Sequence, residues 1–247
     1  MPLHEPPIIV AHRGLHQSYP ENSCGALVAA LRAGFQWIEC DVRSSRDGTP
    51  VIIHDETLDR TTTGMGIVAD KSWDELKTIS LRQADGSPSA AERLPSLYAL
   101  SEDDWSADGL MPPSLLIEIK PSDARSLVAR VVNKSALERG WILQSFDETN
   151  LVHALVANPK MPVAILVEDR ESLDRAISNR WDRVHLSHEL LDSAVAQRLH
   201  NLGAGIGVWT VNDESDVRRV LDIGVDMIIT DDPLGVKRIV DRERRFH

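Results

Sequence analysis

A chain of 247 residues with 42% apolar and 26% charged side chains has the composition of an ordinary soluble globule, and α/β barrels fill that length as one domain. Its formal net charge of −11 works against binding nucleic-acid phosphates or an anionic membrane surface, both of which reward clustered Lys and Arg. Cys24 and Cys40 are too few for a disulfide framework, the start has no basic apolar leader, and no stretch reaches the ~20 apolar residues of a membrane span, so a cytoplasmic protein with free thiols is expected.

In chain order, Ile8-Ile9-Val10-Ala11 reads as a short buried strand ending in His12-Arg13-Gly14, before a polar loop with Pro20-Glu21-Asn22. Ser23 reads as the N-cap of a helix running to about Arg32, with Gly34 as its stop. A strand over 37–43 follows and runs into Asp47-Gly48, a hairpin signal because both loop residues of that turn need φ > 0. With Asp47 and Gly48 as a two-residue loop, Arg46 lies opposite Thr49 and Asp41 opposite His54. Alternation then puts Glu39, Asp41 and His54 on one face and Cys40 on the other. Ile38, Val42 and Val51-Ile52-Ile53 make the pair half-buried, where ionised carboxylates need partners.

From Glu56 to about Met111 the alternation lapses: TLDRTTTGMG is turn-like, KSWDELKTI suits a short helix, RQADGSPSAAERLP reads as loop, and LPSLYALSEDD suits another helical piece. With the hairpin, this segment, 45–112, is expected to be an insertion or lid within a single catalytic domain over 1–247. Strand and helix patterns then alternate with short connections: strands at 114–120, 141–146, 163–167, 183–187, 206–211 and 227–230, helices at 123–139, 148–157, 170–179, 189–202, 214–222 and 233–245. With 8–12 and 37–43 that makes eight strands, and the expected fold is a (β/α)₈ TIM barrel with a small insertion after strand two.

A barrel of this kind does its chemistry at the C-terminal ends of its strands. His12 and Arg13 end strand one, Glu39 and Asp41 sit late in strand two, Glu118 and Lys120 end strand three, and Trp209 sits late in strand seven. Three carboxylates without a thiolate or imidazole cluster suit a hard divalent cation, Mg²⁺ or Ca²⁺. Two histidines near it suit general acid–base work, and Arg13 and Lys120 add fixed positive charge. Together these describe phosphoryl-transfer chemistry. His16, His153, His185, His188 and His200 read as surface or packing residues without carboxylate partners.

AHRG, PENS, IECDVRSSRDGTPVIIHDETLDRTTTG, LLIEIKP, QSF, VWTVN and GVDMIITDDP, in that order over nearly the whole chain, resemble the glycerophosphodiester phosphodiesterase family. The resemblance implies a barrel of the phosphatidylinositol-phospholipase-C-like type that hydrolyses small-molecule glycerophosphodiesters to an alcohol and glycerol 3-phosphate with one divalent cation. Position by position, it makes His12 and His54 the acid–base histidines, Glu39, Asp41 and Glu118 the metal ligands, and Arg13 and Lys120 the phosphate-contacting groups, with Asn22 and Trp209 at pocket positions. Departures are Ser23 where Thr is usual, PSLYAL in place of P-T-L-E-E, and Met227 where Gly is usual.

An amidohydrolase barrel would need His-x-His on strand one, but position 14 is Gly. Two alternatives stay open: a lysophospholipase D-like phosphodiesterase forming a cyclic phosphate, and a non-catalytic phosphodiester-binding protein. The leaving alcohol, the preferred metal, the nucleophile, the division of acid and base roles, and the oligomeric state are not legible in the residues.

Overall fold

Runs such as LLIEI, apolar but for Glu118, and VAILV suit strands covered on both sides by other layers. The computed structural model describes residues 6–99, 109–120, 124–135 and 140–245. In it β1 (Ile8–Ala11), β2 (Trp37–Ser44), β6 (Ser114–Ile119), β7 (Ile142–Ser145), β8 (Val163–Val167), β9 (Arg183–Ser187), β10 (Gly205–Trp209) and β11 (Met227–Thr230) form a parallel sheet. Pairing of β1 with both β11 and β2 closes it, so the fold is the expected (β/α)₈ barrel.

Alternation along β2 separates two layers. Ile38, Cys40 and Val42 join the large core between barrel and helices, while Glu39 and Asp41 point inward. The barrel interior is filled by Val10, Leu116, Ile142, Ala164, Met227 and Ile229, with Trp37 and Trp209 packed against them. Met227, at the position where a glycine was usual, therefore fills the barrel floor.

Around the sheet lie α1 (Cys24–Arg32), α3 (Ala124–Ser135), α4 (Glu148–Ala157), α5 (Arg170–Ser178), α6 (Ser193–Asn201), α7 (Glu214–Ile223) and α8 (Pro233–Glu243), with α2 (Trp73–Leu76) in the insertion. Helix α1 begins where Ser23 accepts a hydrogen bond from the Ala26 amide, and it buries Ala26, Leu27, Ala30 and Leu31. Burying each leucine contributes roughly 1.5–3 kcal/mol, so Leu27→Asp would detach this face. The ends of the expected 123–139 helix lie outside the described residues. None of the described helices is long and apolar enough to cross a membrane.

The hairpin differs from expectation by one residue. Strand β3 (Pro50–Ile52) pairs Val42 with Ile52, Arg43 with Val51 and Ser44 with Pro50, and the Ile53 amide donates to the Asp41 carbonyl. Asp41 is therefore opposite Ile53, not His54. The two-residue turn needs φ > 0 at both central positions, and only Gly48 (φ 80°) is there; Asp47 is not among the positive-φ residues. Asp47 instead accepts from Ser45 Oγ and the Trp73 amide, making Arg46-Asp47-Gly48 a three-residue loop closed by the Gly48 amide on the Ser45 carbonyl.

After Ile53 the chain runs into the insertion, which has its own small core of Val51, Ile53, Leu58, Val68, Leu76, Leu81 and Leu94. The expected short helix is α2, started by a reciprocal Ser72–Glu75 cap. The segment read as loop is a second hairpin, β4 (Ser80–Arg82) with β5 (Pro88–Arg93). β5 is largely exposed and β4 is only three residues long with Leu81 buried, so no apolar alternation marks them. The LPSLYALSEDD piece contains one 3₁₀ turn, Leu97–Ala99, and 100–108 lie outside the described residues.

Candidate active site

At the C-terminal mouth of the barrel lies a cavity of about 140 Å³ lined by His12, Arg13, Glu39, His54, Glu118, Lys120, Gln144, Phe146, Leu166, Trp209, Thr210 and Ile229. Of the residues singled out in the sequence, all but Asp41 and Asn22 line it, and those two stand directly behind. Asp41 is fully buried. Asn22 donates from Nδ2 to Asp41 Oδ2 at 2.8 Å and accepts from the Asp41 amide, so it acts on the cavity through that carboxylate.

The carboxylates are few in donors and close in space. Glu39, Asp41 and Glu118 each offer an oxygen within 4.8 Å of the others. Glu39 Oε1, Asp41 Oδ1 and Glu118 Oε1 are buried without a hydrogen bond. Lys120 Nζ faces Asp41 Oδ1 at 2.9 Å and Glu118 Oε1 at 2.5 Å, and Arg13 Nε faces Asp41 Oδ2 at 3.1 Å, ion pairs off the angle a hydrogen bond needs. Burial, then repulsion from Asp41 and Glu118, pushes Glu39 well above the ordinary carboxylate range. Burial and Asp41 push Glu118 up to about 7. For Asp41 burial also raises the pKa, but Lys120 and Arg13 outweigh it and hold the group below its ordinary value. Burial would likewise lower Lys120, and the Asp41 and Glu118 carboxylates outweigh it, leaving the ammonium charged. Three converging hard carboxylates that repel one another, a repulsion Lys120 and Arg13 offset only in part, fit a divalent cation.

Each imidazole has its own carboxylate. His12 Nδ1–H donates to Asp231 Oδ1 at 2.6 Å, leaving Nε2 toward Glu39 Oε2 at 3.8 Å. His54 Nδ1–H donates to Asp55 Oδ1 at 2.7 Å, and burial lowers its pKa despite the Asp41 and Asp55 charges. A neutral His54 at neutral pH has one free ring nitrogen for proton transfer. Arg60 fixes Asp55 through Nε at 2.6 Å and NH2 at 2.8 Å, and grips both Glu21 oxygens at 2.7 and 2.9 Å. Glu21 in turn takes Arg13 NH1 at 2.8 Å, so one chain of ion pairs runs from His54 to Arg13. The one-residue slip in the hairpin does not exclude His54 from the cavity, because it leaves the ladder after Ile53 and its carbonyl is held by Arg43 Nε at 2.8 Å.

Sequence reasoning missed Asp231 and misread His16. His16 has a carboxylate partner: its Nε2–H donates to the same Asp231 oxygen at 3.0 Å, beside the His12 ring in an edge-on arrangement. Asn212 completes the support, donating to Asp231 Oδ2 and accepting from the Asp231 amide, each at 2.9 Å. Burial would raise Asp231, and the two imidazole hydrogen bonds more than reverse that. Asp231 directly follows the last strand, so the strand-end rule that flagged His12 could also have flagged it. The aromatic wall is Phe146 edge-on to Trp209, centroids 5.6 Å apart. The Trp209–Thr210 peptide is cis.

The model of the glycerophosphoryl diester phosphodiesterase family matches residues 12–234. A glycerophosphodiester phosphodiesterase of Caldanaerobacter subterraneus subsp. tengcongensis is 31% identical over 234 residues, covering 92% of this chain and 94% of the relative. Among solved structures, a phosphodiesterase of Oleispira antarctica in complex with the product sn-glycerol-3-phosphate is 27% identical with a TM-score of 0.81, covering 96% of this chain and 97% of that one. A protein of Silicibacter pomeroyi matches the fold with a TM-score of 0.85 at 24% identity, covering 98% of this chain and 95% of that one.

Proposed function

The chain belongs to the glycerophosphoryl diester phosphodiesterase family and is a phosphoric diester hydrolase of that kind, and from this premise we propose that it hydrolyses small glycerophosphodiesters to an alcohol and glycerol 3-phosphate, using His12 and His54 as acid and base. The observation that carries the reading is that two imidazoles, each oriented by its own carboxylate, face one cavity beside three converging carboxylates.

Asp231 holds the His12 tautomer so that Nε2 is the working nitrogen, and Asp55 does the same for His54. One imidazole takes the proton of the attacking oxygen and the other returns a proton to the departing alcohol oxygen. Arg13 and Lys120 bring fixed positive charge to the non-bridging phosphoryl oxygens, held in place by Glu21, Asp41 and Glu118. Glu39, Asp41 and Glu118 would hold one Mg²⁺ or Ca²⁺, which when bound neutralises charge on the phosphoryl group. Gathering all these groups at one mouth supports reading the chain as one catalytic domain, to which the 45–112 excursion contributes His54.

Glycerophosphocholine, incubated with the enzyme after chelation and again with added Mg²⁺ or Ca²⁺, tests the proposal. Glycerol 3-phosphate and choline, formed only with the cation, are expected. Phosphocholine and glycerol, or full activity in protein shown by elemental analysis to be metal-free, would overturn it.

A further inference from the structure

Beside the charged groups, where the register partner of Glu118 on β7 is Gln144, two further polar side chains occupy the barrel interior next to its aliphatic filling. Gln144 on β7 and His185 on β9 are each 2% exposed, and His185 Nδ1–H donates to Gln144 Oε1 at 2.8 Å. The pair reaches across β8, where the register partner of Gln144 is the small Ala164. On the other side, the register partner of His185 is Gly207, where an added Cβ would lie 2.5 Å from His185 Cδ2. The barrel lining is thus shaped to admit this imidazole.

Burial keeps the ring neutral, its pKa pushed down to about 4, so the Nδ1 proton stays in place across neutral pH. With Oε1 taken by His185, the amide orientation of Gln144 is set and its Nε2 is turned the other way. That Nε2 has no acceptor among the described residues, and Gln144 lines the cavity. A hydrogen-bonded pair in a core contributes about as much as an apolar pair of the same shape, so stability alone gives weak reason for it.

The cavity lining divides in two. His12, Arg13, Glu39, His54, Glu118 and Lys120 make a charged half suited to the phosphodiester. Phe146, Leu166, Trp209 and Ile229 are the apolar part of the lining, and Gln144, whose register partner on β6 is Glu118, stands between the two sets. A glycerol ester whose phosphoryl group meets the charged residues would carry its terminal hydroxymethyl past Gln144 toward the apolar residues.

We propose that Gln144 contacts substrate, donating Nε2–H to the terminal hydroxyl of the glycerol end, with His185 as its positioning residue. The inference rests on the glycerophosphodiester reading above. It is tested by comparing glycerophosphocholine with 2-hydroxyethyl phosphocholine, which lacks only the terminal hydroxymethyl group. Wild type should favour the glycerol ester, and in Gln144→Met and the shortened Gln144→Asn the ratio of the two kcat/KM values should fall roughly 5- to 10-fold, the worth of one such hydrogen bond. His185→Gln should lower the same ratio while leaving the metal titration of activity in place. An unchanged ratio in both Gln144 variants, whether both rates hold or both fall together, would overturn the assignment, because a merely structural role touches both substrates alike. Wild type active on both esters without preference would overturn Gln144 alone, whereas wild type inactive on both would overturn the functional reading itself.

Discussion

The two imidazoles at the barrel mouth are held in opposite ways. His12 follows β1 and its partner Asp231 follows β11, 219 residues away, so that pair exists only once the barrel has closed. His54 uses its own neighbour, Asp55, and Asp55 is fixed by Arg60, a half-exposed guanidinium whose other partner is Glu21. One imidazole is tied to the sheet, and the other hangs on irregular chain by an ion-pair strap. The contrast teaches that similar local geometry can rest on global closure in one case and on a few surface charges in the other, with different sensitivities to acid, salt and substitution.

The largest effects should be common to both arms. His12→Ala and His54→Ala should each lower turnover roughly 10²–10⁴-fold in steady-state assays, with thermal melting little changed. A loss under tenfold at either would remove that residue from the acid–base pair.

Acid should strike the barrel arm. His185 is neutral in the fold with its pKa pushed down to about 4, while the unfolded chain titrates near 6.5, so the unfolded state binds more protons between these values. Stability is therefore intact above pH 6.5 and falls as pH drops toward 4, by roughly 3 kcal/mol from this group. Denaturant unfolding at pH 7 and pH 4.5 measures the fall, and His185→Gln should flatten it; an equally steep fall in that variant would assign the acid lability elsewhere.

Asp231→Asn keeps the shape of the long-range pair but removes the charge that holds the His12 tautomer, and roughly 10–100-fold should be lost from kcat. Barrel stability measured by thermal melting should hardly move, since Asn212 still has an amide to bond. Arg60→Ala, on the strap, should cost least, about 1 kcal/mol or ~5-fold in kcat/KM, and its gap to wild type should narrow in high salt. A larger, salt-insensitive loss would mean that the strap is as rigid as the sheet.

Much of the barrel was legible because each strand-helix unit advertises itself locally: LLIEIK and VAILV are apolar runs of strand length, and Ser23 and Gly34 bracket α1 as caps should. The inward set Glu39, Asp41, Glu118 and Lys120 followed from alternation alone. What failed depended on partners that local patterns do not encode. Asp47-Gly48 looks like a two-residue turn until Trp73, from the insertion, supplies the amide that Asp47 caps. In the β4–β5 hairpin one strand is three residues long and the other mostly exposed, so it carries no alternating signature. Asp231 and His16 belong to the site through closure of the first strand on the last, which brings together residues 215 apart.

The plugged floor of the barrel has a kinetic consequence. Val10, Leu116, Ile142 and Met227, with Trp37 against them, fill the lower interior, so among the described residues the floor of the barrel is closed to the cavity. If the glycerol end seats deepest, as proposed for Gln144, the alcohol would stand between the other fragment and solvent. The alcohol would then leave first, and glycerol 3-phosphate would follow as the last product on the enzyme. Such an order makes glycerol 3-phosphate a competitive inhibitor against substrate and the alcohol a noncompetitive one. It also leaves the outer fragment free to vary in size, since nothing behind it has to pass.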